Sequence, residues 1–182
     1  MGLGDKKKYA YPARTIAFVG IAAATVECAK LALSFLPNVE VVTLLVALYG
    51  YVFGWIGVCA AAVFVCIEPL IYGINTWVIT YFIYWPLVAF VFMMLRRRGV
   101  KNRFILTAWA VLLTVFFGIL SSIIDAVILI GVNENYLTNL FIYYLRGIVF
   151  YVIQIVSNAV IFPLLFPLLA DKLKKIKRQM RI

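Results

Sequence analysis

The sequence predicts an all-α integral membrane protein, a bundle of six transmembrane helices with both the N and C termini cytoplasmic. Three observations lead there. Hydrophobic residues make up 66% of the 182-residue chain and charged residues only 13%, against roughly half and a quarter in soluble domains. The apolar residues fall into six runs, and a helix needs ~20 such residues to cross the hydrocarbon core. The basic residues gather in three clusters that six spans place on one side.

The runs cover about 13–36, 39–54, 55–74, 77–95, 104–130 and 140–169, a single membrane domain over 1–182 with a basic cytoplasmic tail at 171–182. The first stops at Pro37-Asn38. Only Gly50, Gly54 and Gly57 mark the junction of the second and third. Tyr72-Gly73-Ile74-Asn75 closes the third, Arg96-Arg97-Arg98-Gly99 the fourth, and a polar loop from Gly131 to Asn139 separates the fifth from the sixth. Roughly 120 residues go into six spans by this rule, which leaves no room for a soluble domain. The N-terminal basic stretch leads into an apolar run longer than a signal-peptide core, so it is expected to stay uncleaved.

Sidedness follows from Lys6, Lys7, Lys8 and Arg14, from Arg96, Arg97, Arg98, Lys101 and Arg103, and from Lys172, Lys174, Lys175, Lys177, Arg178 and Arg181. Together they are fifteen of the seventeen positive residues. Five or seven spans would put the termini on opposite sides and destroy the bias. The net charge of +10 therefore reflects topology and not nucleic acid.

Polar and aromatic residues partition to the other side. Asn38, Glu40, Asn75, Asn133, Glu134, Asn135 and Asn139 fall in or beside the outer loops, with Tyr72, Trp77, Tyr81, Tyr84, Trp85, Tyr136, Tyr143 and Tyr144 just beneath them. Two readings remain open: an aromatic belt at the lipid interface, or an outward-facing pocket with aromatic walls and a few polar groups.

Glu27, Lys30, Glu68, Asp125 and Arg146 are expected within or at the edge of the spans. Charges there are costly, so they face the bundle interior and pair, or they serve a ligand. Glu27 and Lys30 are three apart and can meet on one helix face. Asp125 and Arg146, opposite in sign on neighbouring spans, are the expected structural pair. Ala13, Ala17, Gly20, Ala24 and Cys28 form a stripe of small side chains on the first helix. Such a stripe lets another helix approach closely, inside the bundle or from a second membrane subunit.

Absences narrow the chemistry. The chain has no histidine, which removes imidazole triads, relays and metal sites. Cys28, Cys59 and Cys66 lie within apolar runs and read as small apolar residues. Neither a phosphate-binding G-x-x-x-x-G-K-[ST] loop nor a G-x-S-x-G elbow occurs, and no inverted pair of broken helices is evident. The chain is expected to be non-catalytic, with no metal or cofactor of its own.

Size, six spans with both ends inside, a small-residue first helix and the Leu36-Pro37-Asn38-Val39-Glu40 turn before a Gly-rich second span form a pattern. It resembles the substrate-binding S components of energy-coupling factor (ECF) transporters, the vitamin importers of the bacterial cell membrane. The likeness covers essentially the full length at the level of architecture. The family's A-x-x-x-A motif is matched by Ala13 and Ala17; where a further alanine is usual this chain has Ile21, and Gly20 and Ala24 supply the small surface.

The resemblance implies docking of that helix on a transmembrane coupling (T) subunit driven by two cytoplasmic ATPase subunits, so ATP is used only by partners. It also implies toppling in the membrane to release a vitamin bound at the outer face. The pocket it implies draws on Asn38, Glu40, Glu68, Tyr72, Asn75, Trp77, Tyr81, Trp85, Asp125, Asn135, Tyr136 and Arg146. Metal-transporting relatives use an N-terminal histidine, which disfavours nickel and cobalt ions. The P-N-V-E-V-V-T (37–43) and E-P-L-I-Y-G (68–73) segments look most like cobalamin-specific members. The alternative is a self-sufficient small secondary carrier or channel using Glu27, Glu68 and Asp125.

Overall fold

The computed structural model describes residues 13–35, 41–180 and 182. Among them are six helices and no strand: α1 (Ala13–Ala32), α2 (Val42–Phe53), α3 (Trp55–Tyr72), α4 (Thr76–Arg97), α5 (Arg103–Leu129) and α6 (Tyr136–Met180). In lipid a backbone must satisfy its own polar groups, and a helix does so within one segment. Five of the six, all but α2, are long and apolar enough to cross a membrane. The Lys6–Lys8 run and the Pro37 turn lie outside the described residues.

The second run differs from its expected course. α2 has 12 residues and is about 18 Å long at 1.5 Å per residue, well short of a ~30 Å hydrocarbon core. It is apolar on every side because it is enclosed on every side: all its residues except Leu45 are buried, among α1, α3, α4 and α6. A buried helix and a lipid-facing helix have the same composition, so the apolar run alone does not separate them.

Two glycines make that central position possible. A side chain at Gly50 would collide with the backbone carbonyl of Ala89 on α4, and one at Gly57 with the carbonyl of Tyr49. Gly54, between α2 and α3, has φ +65°, a conformation that disfavours a Cβ. Its N–H donates to the Gly50 carbonyl at 3.0 Å and its own carbonyl accepts from Val58. The chain thereby ends α2 and doubles back within a few residues.

Contacts along the helices establish an alternating order. Phe18, near the start of α1, packs at 4.1 Å from Phe53 at the end of α2. Lys177, near the end of α6, approaches the same Phe53 ring at 5.8 Å. Tyr51 on α2 donates to the Val100 carbonyl between α4 and α5 at 2.8 Å. The start of α1 and the end of α6 therefore share one end of the bundle. At the other end the last turns of α1 and α3 meet the first turns of α4.

α5 and α6 form the longest packed pair. The Tyr151 ring fills the space that a Cβ on Gly118 or Gly147 would occupy. Asn158 donates to Thr114 Oγ1 at 2.9 Å, and Thr114 donates to the Ala110 carbonyl, a polar link between fully enclosed groups. Large apolar side chains such as Leu112, Phe116, Ile119, Leu145, Val149 and Val156 point outward. So much exposed apolar surface is unusual in water and matches a lipid solvent.

The expected basic tail at 171–182 is for the most part the continuation of α6, an uninterrupted 45-residue helix. Leu169, Leu173 and Met180 return to one face and pack on the core, while Asp171 and Lys174 form an i,i+3 ion pair at 2.8 Å. Tyr136, expected in the preceding loop, is the first residue of this helix.

Gly50→Ala should destabilise the bundle by about 1–3 kcal/mol, the usual range for overpacking, seen as a lower unfolding temperature in detergent. Gly20→Ala adds a Cβ that meets nothing and should leave that temperature unlowered, or raise it slightly through the better helix propensity of alanine. Equal behaviour of the two would contradict the close α2–α4 contact.

Candidate functional site: an aromatic recess around a buried ion pair

Glu68 is fully buried on α3. An isolated carboxylate there would be very costly, and an opposite charge with hydrogen bonds offsets that cost. Lys30, in the last turns of α1, supplies both: its Nζ donates to Glu68 Oε1 at 2.7 Å and to Oε2 at 2.5 Å. One turn earlier on the same helix, Glu27 is buried and its Oε1 accepts a hydrogen bond from Tyr72 Oη at 2.9 Å. The two carboxyl groups are close enough to interact. Glu27 Oε2 is enclosed and accepts no hydrogen bond from a donor among the described residues.

Aromatic rings wall this cluster. Lys30 Nζ lies 4.1 Å from the Tyr72 ring centroid, 5.6 Å from Tyr81 and 5.9 Å from Trp77, all within the range where a ring face attracts a cation. Trp77 meets Tyr81 edge to face at 5.0 Å, and Tyr81 meets Trp85 at 5.5 Å. Lys30, Glu68, Tyr72, Trp77 and Tyr81 line an open recess of about 330 Å³, the lower end of the volumes that small-molecule sites occupy. Trp85 lies under it, buried, and its Nε1 finds no acceptor among the described residues.

The local sequence explains the placement. α3 runs through Pro69 to Gly73, whose φ of +81° ends the helix. Asn75 then caps α4 by accepting from the Thr76 N–H at 2.6 Å. This three-residue reversal brings Tyr72 back beside Trp77 and Tyr81. Asn75 itself is exposed and acts as a cap outside the recess.

Of the residues expected in a pocket, Glu68, Tyr72, Trp77 and Tyr81 come together, with Trp85 beneath them. Asp125, Asn135, Tyr136 and Arg146 belong to α5, α6 and their connection and line no part of this recess. Asn135 makes a turn with Asn133 Oδ1, and Arg146 is exposed against the Tyr143 ring at 5.4 Å. Asn38 and Glu40 lie outside the described residues.

The pairing of charges also differs from expectation. Lys30 joins Glu68 on another helix and not Glu27 on its own, because the ammonium thereby neutralises the most enclosed carboxylate. Asp125 and Arg146 form no ion pair, since the ion pairs among the described residues are Lys30–Glu68 and Lys174–Asp171. Lys30 and Glu27 carry the site without having been among the pocket residues expected. Their signal in the sequence is charge inside an apolar run.

The stripe Ala13, Ala17, Gly20, Ala24 and Cys28 is exposed along its whole length. α1 buries the other face, through Phe18, Ala22, Ala23 and Val26. Packing of the stripe inside the bundle is therefore not what this fold uses.

Lys30→Met would leave Glu68 enclosed without its cation and should cost about 3–5 kcal/mol of stability. The double variant Lys30→Met/Glu68→Leu should recover most of that loss in thermal unfolding. A double variant as unstable as the single one would contradict the pairing.

No protein-family model, no curated protein and no solved structure matches the chain, so its function is read from this recess and from the faces of the helices around it.

Proposed function

We propose that the chain is the substrate-capturing S component of an ECF-type vitamin importer in a bacterial cell membrane, its five long helices crossing the bilayer around the enclosed α2, with both termini cytoplasmic. The observation that carries this reading is the recess itself: three aromatic rings around an ammonium paired with a buried carboxylate, at one end of an apolar bundle. The basic helix ends lie at the opposite end, since Trp77 and Arg96 are separated by roughly 28 Å along α4. By the bias of positive charge toward the cytoplasm, the recess opens outward.

Such a recess suits a water-soluble molecule with a conjugated or aromatic portion. The rings supply flat apolar contact, and the Lys30 ammonium, held from behind by Glu68, supplies a polar group that fixes orientation. Cobalamin leads the panel of ligands because the segments at 37–43 and 68–73 resemble cobalamin-specific members. A whole corrinoid exceeds about 330 Å³, so the recess would take one portion of it.

Delivery falls to partners: a transmembrane coupling subunit and two ATPase subunits, with this chain non-catalytic. The outward-facing stripe from Ala13 to Cys28 supports docking, because small side chains let a partner helix approach closely. A secondary carrier using Glu27, Glu68 and Asp125 is favoured only by Glu27 Oε2, which has no hydrogen-bond partner among the described residues. Asp125 lies away from that cluster.

The test is equilibrium binding of a vitamin panel to the purified chain in detergent. One ligand is expected to bind with submicromolar affinity. Tyr81→Ala is expected to weaken it about tenfold or more, the loss of one stacked contact. Ala17→Trp should leave binding intact and abolish copurification with the coupling subunit. Absence of any submicromolar ligand would sink the capture role; unchanged copurification would sink the docking role.

A further inference from the structure

The end of the bundle opposite the recess holds a second cavity, of about 340 Å³, that substrate capture does not use. Its walls come from three helix ends. The last turn of α2 contributes Val52 and Phe53, the end of α4 contributes Arg96 and Arg97, and the final turns of α6 contribute Lys174, Lys177 and Arg178. Five cationic side chains thus face one space, and among the described residues no carboxylate lines it. Asp171, the acid of this stretch of α6, is already engaged by Lys174 at 2.8 Å.

Two of the cations are held in place by neutral partners, so their charge stays uncompensated. Lys177 Nζ donates to the Val52 carbonyl at 2.9 Å, one of the carbonyls that a helix leaves open at its C-terminus. The Arg96 guanidinium lies 5.4 Å from the Tyr51 ring centroid. Ammonium and guanidinium groups converging from α4 and α6 repel one another, and a phosphate oxyanion relieves that repulsion while accepting several charge-assisted hydrogen bonds.

The remaining wall is apolar, with Met93, Val52 and Phe53 facing the same space. A free inorganic anion has no use for such a wall. A phospholipid does, because its glycerol and first methylenes lie directly beside its phosphate. The depth fits as well: the cavity sits where the apolar segments end in basic residues, the level of anionic headgroups on the cytoplasmic leaflet.

We propose that this cavity binds the phosphate headgroup of an anionic phospholipid, which joins the end of α4 to the terminal turns of α6. The site depends on membrane embedding and is independent of which molecule the aromatic recess captures.

The experiment uses the full chain in nanodiscs of phosphatidylcholine with a minor share of phosphatidylglycerol, followed by native mass spectrometry of retained lipid. Wild-type protein should retain phosphatidylglycerol in preference to phosphatidylcholine. Arg96→Gln/Lys177→Gln should reduce that retention about tenfold or more, as expected for loss of charge-assisted bonds. Arg97→Gln/Arg178→Gln, which alters only exposed side chains, should act in the same direction if the first variant fails to fold. Arg98→Gln/Arg103→Gln removes the same charge from the same end outside the cavity and should leave retention unchanged.

Equal loss in the Arg98/Arg103 variant would mean diffuse surface attraction and would overturn the site. So would retention without preference for phosphatidylglycerol. Inorganic pyrophosphate that displaces the lipid and raises the unfolding temperature as far as phosphatidylglycerol does would reassign the cavity to a soluble oxyanion.

Discussion

Lys30 and Glu68 form an ion pair between two helices, α1 and α3, with the carboxylate fully enclosed. A buried pair is weak evidence for stability, since hydrophobic replacements often do as well, but a half-pair is strongly unfavourable. The pair therefore constrains where the helices can sit more than it strengthens the bundle. It sets the rotation of α1 about its axis, and that rotation has two consequences. Glu27 is brought under Tyr72, and the small-residue stripe is turned away from the bundle. One electrostatic contact thus relates the recess to the free face of the same helix.

The two ends of the bundle carry opposite chemistry. At one, carboxyl groups outnumber the single ammonium and aromatic rings close around it. At the other, five cations border a cavity that no carboxylate among the described residues lines. Between them lies α2, a short helix enclosed by its neighbours and held close to α4 by Gly50. A helix of this length cannot cross the bilayer on its own. Its place in the core gives the longer helices a common surface, and both cavities lie at the margins of that packing.

Much of this is legible in the sequence, for identifiable reasons. Apolar runs and basic clusters report the solvent around each residue, and lipid imposes that pattern strictly; α4 is thus expected at 77–95 and found at Thr76–Arg97. Pairing is less legible, because the partner of a charge depends on helix rotation and contact over 38 positions, as for Lys30 and Glu68. The aromatic residues Tyr72, Trp77 and Tyr81 are identifiable as a group because they flank one tight reversal. Asp125 and Arg146 look alike on paper, yet they lie on another pair of helices. The helical course of residues 171–180 is hidden by its lysines, which mask the apolar face formed by Leu173 and Met180.

Capture without transport is the central claim, and reconstitution of the purified chain alone in liposomes tests it most directly. With the ligand that binds in detergent, the account predicts saturable binding of about one molecule per chain and no accumulation inside the vesicles under a proton or sodium gradient. Gradient-driven accumulation by the isolated chain would contradict it and would make the buried carboxyl groups parts of a carrier.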